Sequence, residues 1–138
     1  MLALREGGLP LRFLPGYADR GLTARMNALN DEMAYRHEHP MGAIEADRSW
    51  PDLLAAAGLS AVTSRTFLLD RPAPLDDVTR RRLQRNLRMG RDMTAERMSP
   101  EDLSQLDRLT ADDGADSVLH RPDVFMLRAA TIHTGAQD

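Results

Sequence analysis

The feature that most constrains this fold is an apolar run near the carboxyl terminus. Residues 123–134 include Val124-Phe125-Met126-Leu127 and then Ala130-Thr131-Ile132. A continuous run rich in β-branched and aromatic residues is typical of a strand that has neighbours on both sides. The sequence therefore predicts a sheet with this segment in its interior.

Two other segments are predicted to be strands of the same sheet. Leu2-Ala3-Leu4-Arg5-Glu6 is mostly apolar and is stopped by Gly7-Gly8, as a buried strand would be at its carboxyl end. Residues 61–70 are rich in Val, Thr and Phe, which favour strands. Because Met1 already occupies a strand position, we expect the natural beginning of the first strand to lie upstream.

Helices are predicted between the strands from apolar spacing and capping residues. The spacing predicts an amphipathic helix over residues 20–36. Ser49 is predicted to cap a short helix over residues 51–57, and Asp76 a longer one. Ser99 repeats the capping signature, so the last two helices are predicted to form a hairpin. The apolar positions behind these predictions are Leu22, Met26, Leu29, Met33, Leu83, Leu87, Leu103, Leu106 and Leu109.

The order of strand, helix, helix, strand, helical pair and strand indicates an α/β fold. At 138 residues the chain is long enough to bury one core. Only 4% of the residues are aromatic, so Leu, Ala, Val and Met must fill most of that core. Its predicted bulky anchors are Phe13, Trp50, Phe67 and Phe125.

Composition excludes several classes of protein, whereas charge excludes little. A net charge of −3 gives no field strong enough to argue for nucleic acid or an anionic membrane as the main partner, and we expect neither. The absence of Cys excludes disulfides and thiolate chemistry, and no segment has the pattern of a signal peptide or membrane span. We therefore expect a cytoplasmic protein. The arginine run at residues 80–85 is interpreted as the solvated face of a helix, because Arg81, Arg85 and Arg88 lie opposite its leucines.

Three segments together resemble a known family. They are Glu6-Gly7-Gly8 at a strand end, Trp50-Pro51-x-Leu53-Leu54-x-Ala56-Ala57-Gly58-Leu59 leading into Thr66-Phe67-Leu68-Leu69-Asp70, and Pro122-Asp123-Val124-Phe125-Met126-Leu127. Over nearly the whole chain they resemble the last third of class I S-adenosylmethionine-dependent methyltransferases. The resemblance implies an α/β fold with part of a Rossmann-like methyltransferase sheet, namely its fifth and sixth strands with the antiparallel seventh between them. Residues 1–138 would be a single partial domain, with a helical insertion at residues 76–110 before the last strand.

The resemblance also sets expectations about the cofactor. In the family, a glycine-rich turn after the first strand and an acidic residue after the second hold S-adenosylmethionine. Gly7-Gly8 does not replace that turn, because Pro10 and Pro15 follow it where a helix should begin. We therefore assign no cofactor-binding residue and expect no cofactor to bind this chain alone. The implied function is methylation of a small-molecule acceptor, only when a cofactor-binding half completes the chain.

Two other functions are compatible with the sequence. The first is a non-catalytic interaction module that pairs with a partner chain through its exposed first strand. The second is a small regulatory or nucleic-acid-binding domain that uses the arginine helix. Salt-dependent affinity for DNA would favour the latter.

Two residues are the candidate catalytic groups. Glu6 is predicted to lie at the carboxyl end of its strand, where open α/β sheets bind ligands, and a carboxylate there can orient or deprotonate an acceptor. The alternative is a structural charge held by Arg5 or Arg12. His37, with His39 beside it, follows the first long helix and is a candidate general base or a solvated helix end. No metal site is predicted, because His120 and His133 lie far away in the sequence.

Overall fold

The computed structural model describes residues 1–7, 9–38 and 49–137. Their three strands are β1 (Leu2–Gly7), β2 (Ser60–Arg71) and β3 (Met126–Ala136). The α-helices are α1 (Gly16–Asp19), α2 (Leu22–Glu38), α3 (Trp50–Ala56), α4 (Asp77–Thr94) and α5 (Pro100–Thr110), and a 3-10 turn at Ala95–Arg97 joins the last two. No helix in these ranges is long and apolar enough to cross a membrane.

The three strands form one sheet in the order β1-β3-β2, with β3 antiparallel to both neighbours. The prediction of an interior carboxyl-terminal strand is therefore confirmed. β3 begins three residues later than predicted because the chain before it joins the helical core, where Val124 is fully buried. Beyond β1, the chain continues along β3, and Arg12 bridges to Leu127.

Capping side chains begin the helices where the sequence predicts. Ser49, Asp76 and Ser99 accept hydrogen bonds from the backbone N–H groups of Asp52, Thr79 and Asp102. Gly58 closes α3 with a φ of +84°, a left-handed conformation that glycine adopts readily. The short helix α1 precedes α2, which starts at Leu22, two residues later than predicted, because Arg20 and Gly21 have positive φ.

The hydrophobic core is formed by the helices and the segments that join them, together with Met126 of β3. The hairpin prediction is confirmed, because Leu83 and Leu87 of α4 and Leu106 and Leu109 of α5 lie in one buried cluster. Leu22 and Met26 of α2 complete this side of the cluster, as their spacing predicts. Phe13 is the only predicted aromatic anchor buried below one tenth exposure, and the prediction for Trp50 and Phe67 is wrong, since they are 42% and 50% exposed.

The sheet, in contrast, has two faces that remain partly open. The strand register puts one set of side chains, which we call the histidine face, on one side: Leu4, Glu6, Ser64, Thr66, Leu68, Thr131 and His133. The other set, the arginine face, has Arg5, Arg65, Phe67, Leu69, Arg71, Arg128, Ala130 and Ile132. The prediction that the first strand is buried is wrong, because Leu2 is 46% exposed.

Candidate active site on the histidine face

A hydrogen-bonded chain of three side chains crosses the histidine face, with one residue from each strand. Glu6 of β1 and His133 of β3 are joined by a contact of 3.0 Å between Oε2 and Nε2. Ser64 of β2 contacts the other ring nitrogen, with 2.8 Å between its Oγ and Nδ1. Ser64 and Leu4 are the register partners of His133 on its two sides, so the chain follows directly from the pairing of the strands.

The carboxylate fixes the hydrogen-bonding roles of the ring. An ionised Glu6 can only accept, so Nε2 carries the proton and Nδ1 of the neutral imidazole is left to accept from the Ser64 hydroxyl. When His133 is protonated, both ring nitrogens donate, and Glu6 and the Ser64 oxygen both accept. Both ring nitrogens are therefore hydrogen-bonded, one to each outer strand.

Burial differs sharply along this chain. The His133 side chain is 6% exposed, whereas the Glu6 side chain is 50% exposed. Leu59, which follows α3, lies against Gly135 on the same face, where an added Cβ would come within 2.9 Å of Leu59. Glu6 and Ser64 are therefore the members of the chain that a ligand can reach, and His133 is the buried group between them.

Two threonines extend the polar part of the histidine face. Thr66 and Thr131 hydrogen-bond to each other over 3.0 Å, and Thr131 is the register partner of Glu6. Leu68 lies one step further along β2 and is 64% exposed. A molecule on this face would contact hydroxyl groups and a carboxylate beside an exposed apolar side chain.

The arrangement resembles the order of groups in a serine nucleophile relay, but its backbone setting favours acid–base chemistry. In hydrolases the nucleophile lies on a sharp turn that exposes its oxygen beside backbone N–H donors. Ser64 instead lies inside β2, in extended backbone that pairs with β3. Proton transfer by Glu6, supported by His133, is the chemistry that this geometry offers.

The predicted site residues have different outcomes. The position of Glu6 at the end of β1 is confirmed, but the alternative partners Arg5 and Arg12 are wrong, since His133 holds the carboxylate. His37 belongs to the last turn of α2, and its side chain lies outside the described part of the chain. His39 lies outside the described residues altogether.

His133 is a residue of the candidate site that sequence reasoning missed. It lies far from Glu6 in the sequence, and only the strand register brings the two together. The available signal was a polar residue near the end of the predicted interior strand, two positions after Thr131. His120, by comparison, contacts the backbone oxygen of Asp112 in the helical region and has a structural role.

Ionic contacts elsewhere are structural. Arg25 of α2 forms a two-pronged contact with Asp102 of α5, at 2.9 and 2.6 Å, and the guanidinium lowers the pKa of that carboxyl. Arg121 likewise lowers the pKa of Asp123. Asp123 in turn accepts a hydrogen bond from the Tyr17 hydroxyl, which raises the pKa of Tyr17. These groups hold helices and loops together away from the sheet.

The prediction of a solvated arginine face on α4 is confirmed except at Arg80, the first arginine of the run. Arg81, Arg85 and Arg88 are exposed, as a solvated face requires. Arg80 is buried, and its guanidinium donates to the backbone oxygens of Leu75, Val118 and Arg121. It therefore ties α4 to the chain that leads into β3.

The described residues do not fit the cofactor of the resembled family. β1 leads past Gly7 into an extended segment along β3, and the first helix begins only at Gly16. β2 leads into α4 through Pro72 and Pro74 rather than through glycines. Within the described ranges, neither connection combines a glycine turn with the helix amino terminus that holds a nucleotide. Among the described residues, no group of three or more His, Asp or Glu side chains is arranged to hold a metal ion.

No protein-family model, curated protein or solved structure matches the chain. The interpretation of this site therefore depends on its geometry.

Proposed function

We propose that this chain is the acceptor side of an S-adenosylmethionine-dependent methyltransferase with a Rossmann-like sheet. The observation that carries the proposal is the sheet itself: β1 and β2 run parallel, and the last strand lies between them, antiparallel to both. This is the arrangement that the resemblance implies for the fifth, seventh and sixth strands of the family. The helices at residues 76–110 would be the insertion before the seventh strand.

The exposed apolar residues of β2 support the same proposal. Phe67, Leu68 and Leu69 are consecutive, so they alternate between the two faces, and they are 50%, 64% and 37% exposed. Such uninterrupted apolar runs are typical of sheets that are covered on both faces. A larger α/β sheet, continued beyond β1 and covered by further helices, would bury them.

In this function Glu6 contacts the acceptor. His133 holds Oε2, and no described residue hydrogen-bonds Oε1, which leaves that oxygen to accept a proton from an acceptor hydroxyl or amine. Glu6 lies at the carboxyl end of β1, the edge where open α/β sheets bind ligands. His133 acts through Glu6 as a positioning residue, because its Nε2–H donates to Oε2 and holds the carboxylate in place.

The cofactor would be held by a polypeptide that completes the sheet, because the described residues do not fit it. S-Adenosylmethionine supplies the methyl group when it is bound there. The contribution of this chain is to bind the small-molecule acceptor, orient it and remove its proton.

The test begins with the DNA that precedes the Met1 codon. We expect an in-frame segment encoding a strand, a glycine-rich turn and a helix, and the joined product should transfer a radiolabelled methyl group to small hydroxyl or amine acceptors. Glu6→Gln should lower kcat by about 10²–10⁴, the usual contribution of acid–base catalysis, with cofactor affinity unchanged. Glu101→Gln, at an exposed position on α5, is the matched control. An in-frame stop codon, or saturable S-adenosylmethionine binding by the 138-residue chain itself, would overturn the proposal.

The alternative is a non-catalytic interaction module that pairs through β1. The observation in its favour is that β1 is an edge strand of the described sheet, with β3 on one side only. A joined product that binds neither S-adenosylmethionine nor an acceptor, but forms a stable complex lost when Leu4 is replaced by Pro, would favour this alternative.

A further inference from the structure

We infer that the arginine face is a docking surface for an amphipathic helix with an apolar stripe and acidic flanks. The inference depends on the proposed function only for the source of the helix, which would be the completing polypeptide. It follows from three observations: the charge of this face, its apolar centre and its width.

The face is uniformly cationic. Arg5, Arg65, Arg71 and Arg128 come from all three strands, and the register puts no Asp or Glu among them. Arg5, Arg65 and Arg128 take part in no ion pair with any described residue, and Arg71 has only a distant contact, 3.9 Å, with Asp76. On a chain with a net charge of −3, a face with only positive charges is complementary to an acidic partner.

The centre of the arginine face is apolar, and its small side chains leave the surface recessed. One row across the sheet consists of Gly7, Ala130 and Phe67, and the next has Ile132 in the middle. A shallow cavity of about 350 Å³ lies here between Arg5, Arg128 and Phe67. The small residues at its floor let another backbone approach closely, while Phe67 and Leu69 give exposed apolar area beside it.

The width of the face matches a helix. Arg5 and Arg65 are the two register partners of Ile132, one on each outer strand. Strands lie about 4.8 Å apart, so these two positions are separated by roughly 10 Å, which is close to the ~10–12 Å diameter of a helix with its side chains. A helix lying along β3 would rest its apolar stripe on Ile132 and Ala130, with carboxylates beside an arginine on each flank.

Arg65 illustrates how an arginine would be held beside the docked helix. Its guanidinium lies 5.3 Å from the centre of the Phe67 ring, which keeps the charge over an exposed aromatic surface. A planar guanidinium fixed in this way can bind a carboxylate through two parallel hydrogen bonds. On the flank of the docked helix that lies next to Arg65, an acidic residue is therefore favoured over a neutral one.

The test uses two designed helical peptides of about 16 residues, long enough to run about 24 Å along β3 at ~1.5 Å per residue. Both have the same Leu/Ala stripe, and their flanks are either all Glu or all Lys. Fluorescence anisotropy with the 138-residue chain should show the Glu peptide binding at least about tenfold more tightly, and less tightly as salt is raised. Equal affinities, or no binding of either peptide, would overturn the inference.

Charge reversal identifies the surface. The double variant Arg5→Glu, Arg65→Glu should reverse the preference, so that the Lys peptide binds more tightly. Arg82→Glu, an exposed position on α4, is the matched control and should leave the preference unchanged. Thermal unfolding of each variant checks that the fold persists, and retention of the Glu preference by the double variant would contradict the inference.

Two further results separate this inference from its competitors and from the proposed function. A single-stranded oligonucleotide that binds the arginine face more tightly than the Glu peptide would replace the helix with a nucleic acid. Glu6→Gln should leave peptide binding unchanged. Failure of methyl transfer with intact peptide selectivity therefore counts against the proposed function alone, and the reverse result counts against the docking surface alone.

Discussion

The helical region of this protein, which is α2, α4, α5 and the segments that join them, buries its apolar side chains, whereas the sheet leaves many of its side chains exposed. In the helical region, Leu22, Leu83 and Leu106 are fully buried, and all buried polar side-chain atoms of the described residues have hydrogen-bond partners. In the sheet, the longest strand has no fully buried residue. One region stabilises itself, whereas the other exposes apolar and charged groups that suit a covering partner.

This difference explains where function can reside. A well-packed helical core can anchor the sheet with little contribution from the sheet, whose member of the buried cluster is Met126 of β3. The sheet then carries a hydrogen-bonded chain of Glu6, His133 and Ser64 on one face and a group of arginines on the other. The proposals above assign an acceptor site to the first face and a docked helix to the second.

The largest expected effect compares leucines from the two regions. Leu106→Ala, in the helical core, should lower the free energy of unfolding by about 2–5 kcal/mol, because it leaves a cavity in close-packed surroundings. Leu68→Ala, on the sheet, should change it by no more than about 0.5 kcal/mol, because that side chain is already 64% exposed. Urea unfolding followed by circular dichroism measures both. A similar loss for the two variants would mean that the sheet is covered in solution.

The next effect concerns the buried guanidinium that closes the helical region. Arg80→Met should lower the free energy of unfolding by roughly 1–3 kcal/mol, because the backbone oxygens of Leu75 and Val118 lose their donor inside the protein. Arg81→Met, at the next and exposed position of α4, is the control and should stay within about 0.5 kcal/mol. If the two variants unfold alike, Arg80 is not the link between α4 and the chain before β3.

Local signals in the sequence predicted most of the fold. The three capping residues and the leucines at helical spacing define the helices, because a cap acts within four residues and a helical stripe within two turns. The apolar run that includes Val124 predicted an interior strand, and β3 is that strand. The failures at Trp50 and Phe67 have one cause, since apolar character alone does not tell which elements cover a side chain.

The candidate site was predicted only in part. Glu6 was accessible to sequence reasoning because strand ends are local features. His133 and Ser64 were not, because a shift of one residue in strand register moves a side chain to the other face. Arg80 illustrates the same limit in a helix: it lies within an arginine run, but three distant backbone oxygens decide that it is buried.

The smallest expected effect is the acid sensitivity of the helical region. The pKa of Asp102 is lowered by hydrogen bonds from Arg25, so the folded state binds its proton less readily than the unfolded state. Such a carboxylate stabilises the fold above the unfolded pKa of about 3.9, and its contribution is lost as the pH falls through the lower, folded value. The free energy of unfolding should therefore decline below about pH 4.

Asp102→Asn separates this contribution from general acid effects. At pH 7 the variant should be less stable by about 1 kcal/mol, a modest loss because Arg25 is half exposed and its charge is screened. Below about pH 4 its free energy of unfolding should decline less steeply than that of the unaltered protein, because the group that takes up the proton has been removed. Asp113→Asn, at an exposed position, should leave the slope unchanged. Since Arg25 and Asp102 join α2 to α5, parallel slopes for Asp102→Asn and the unaltered protein would mean that this link does not hold the helical region together.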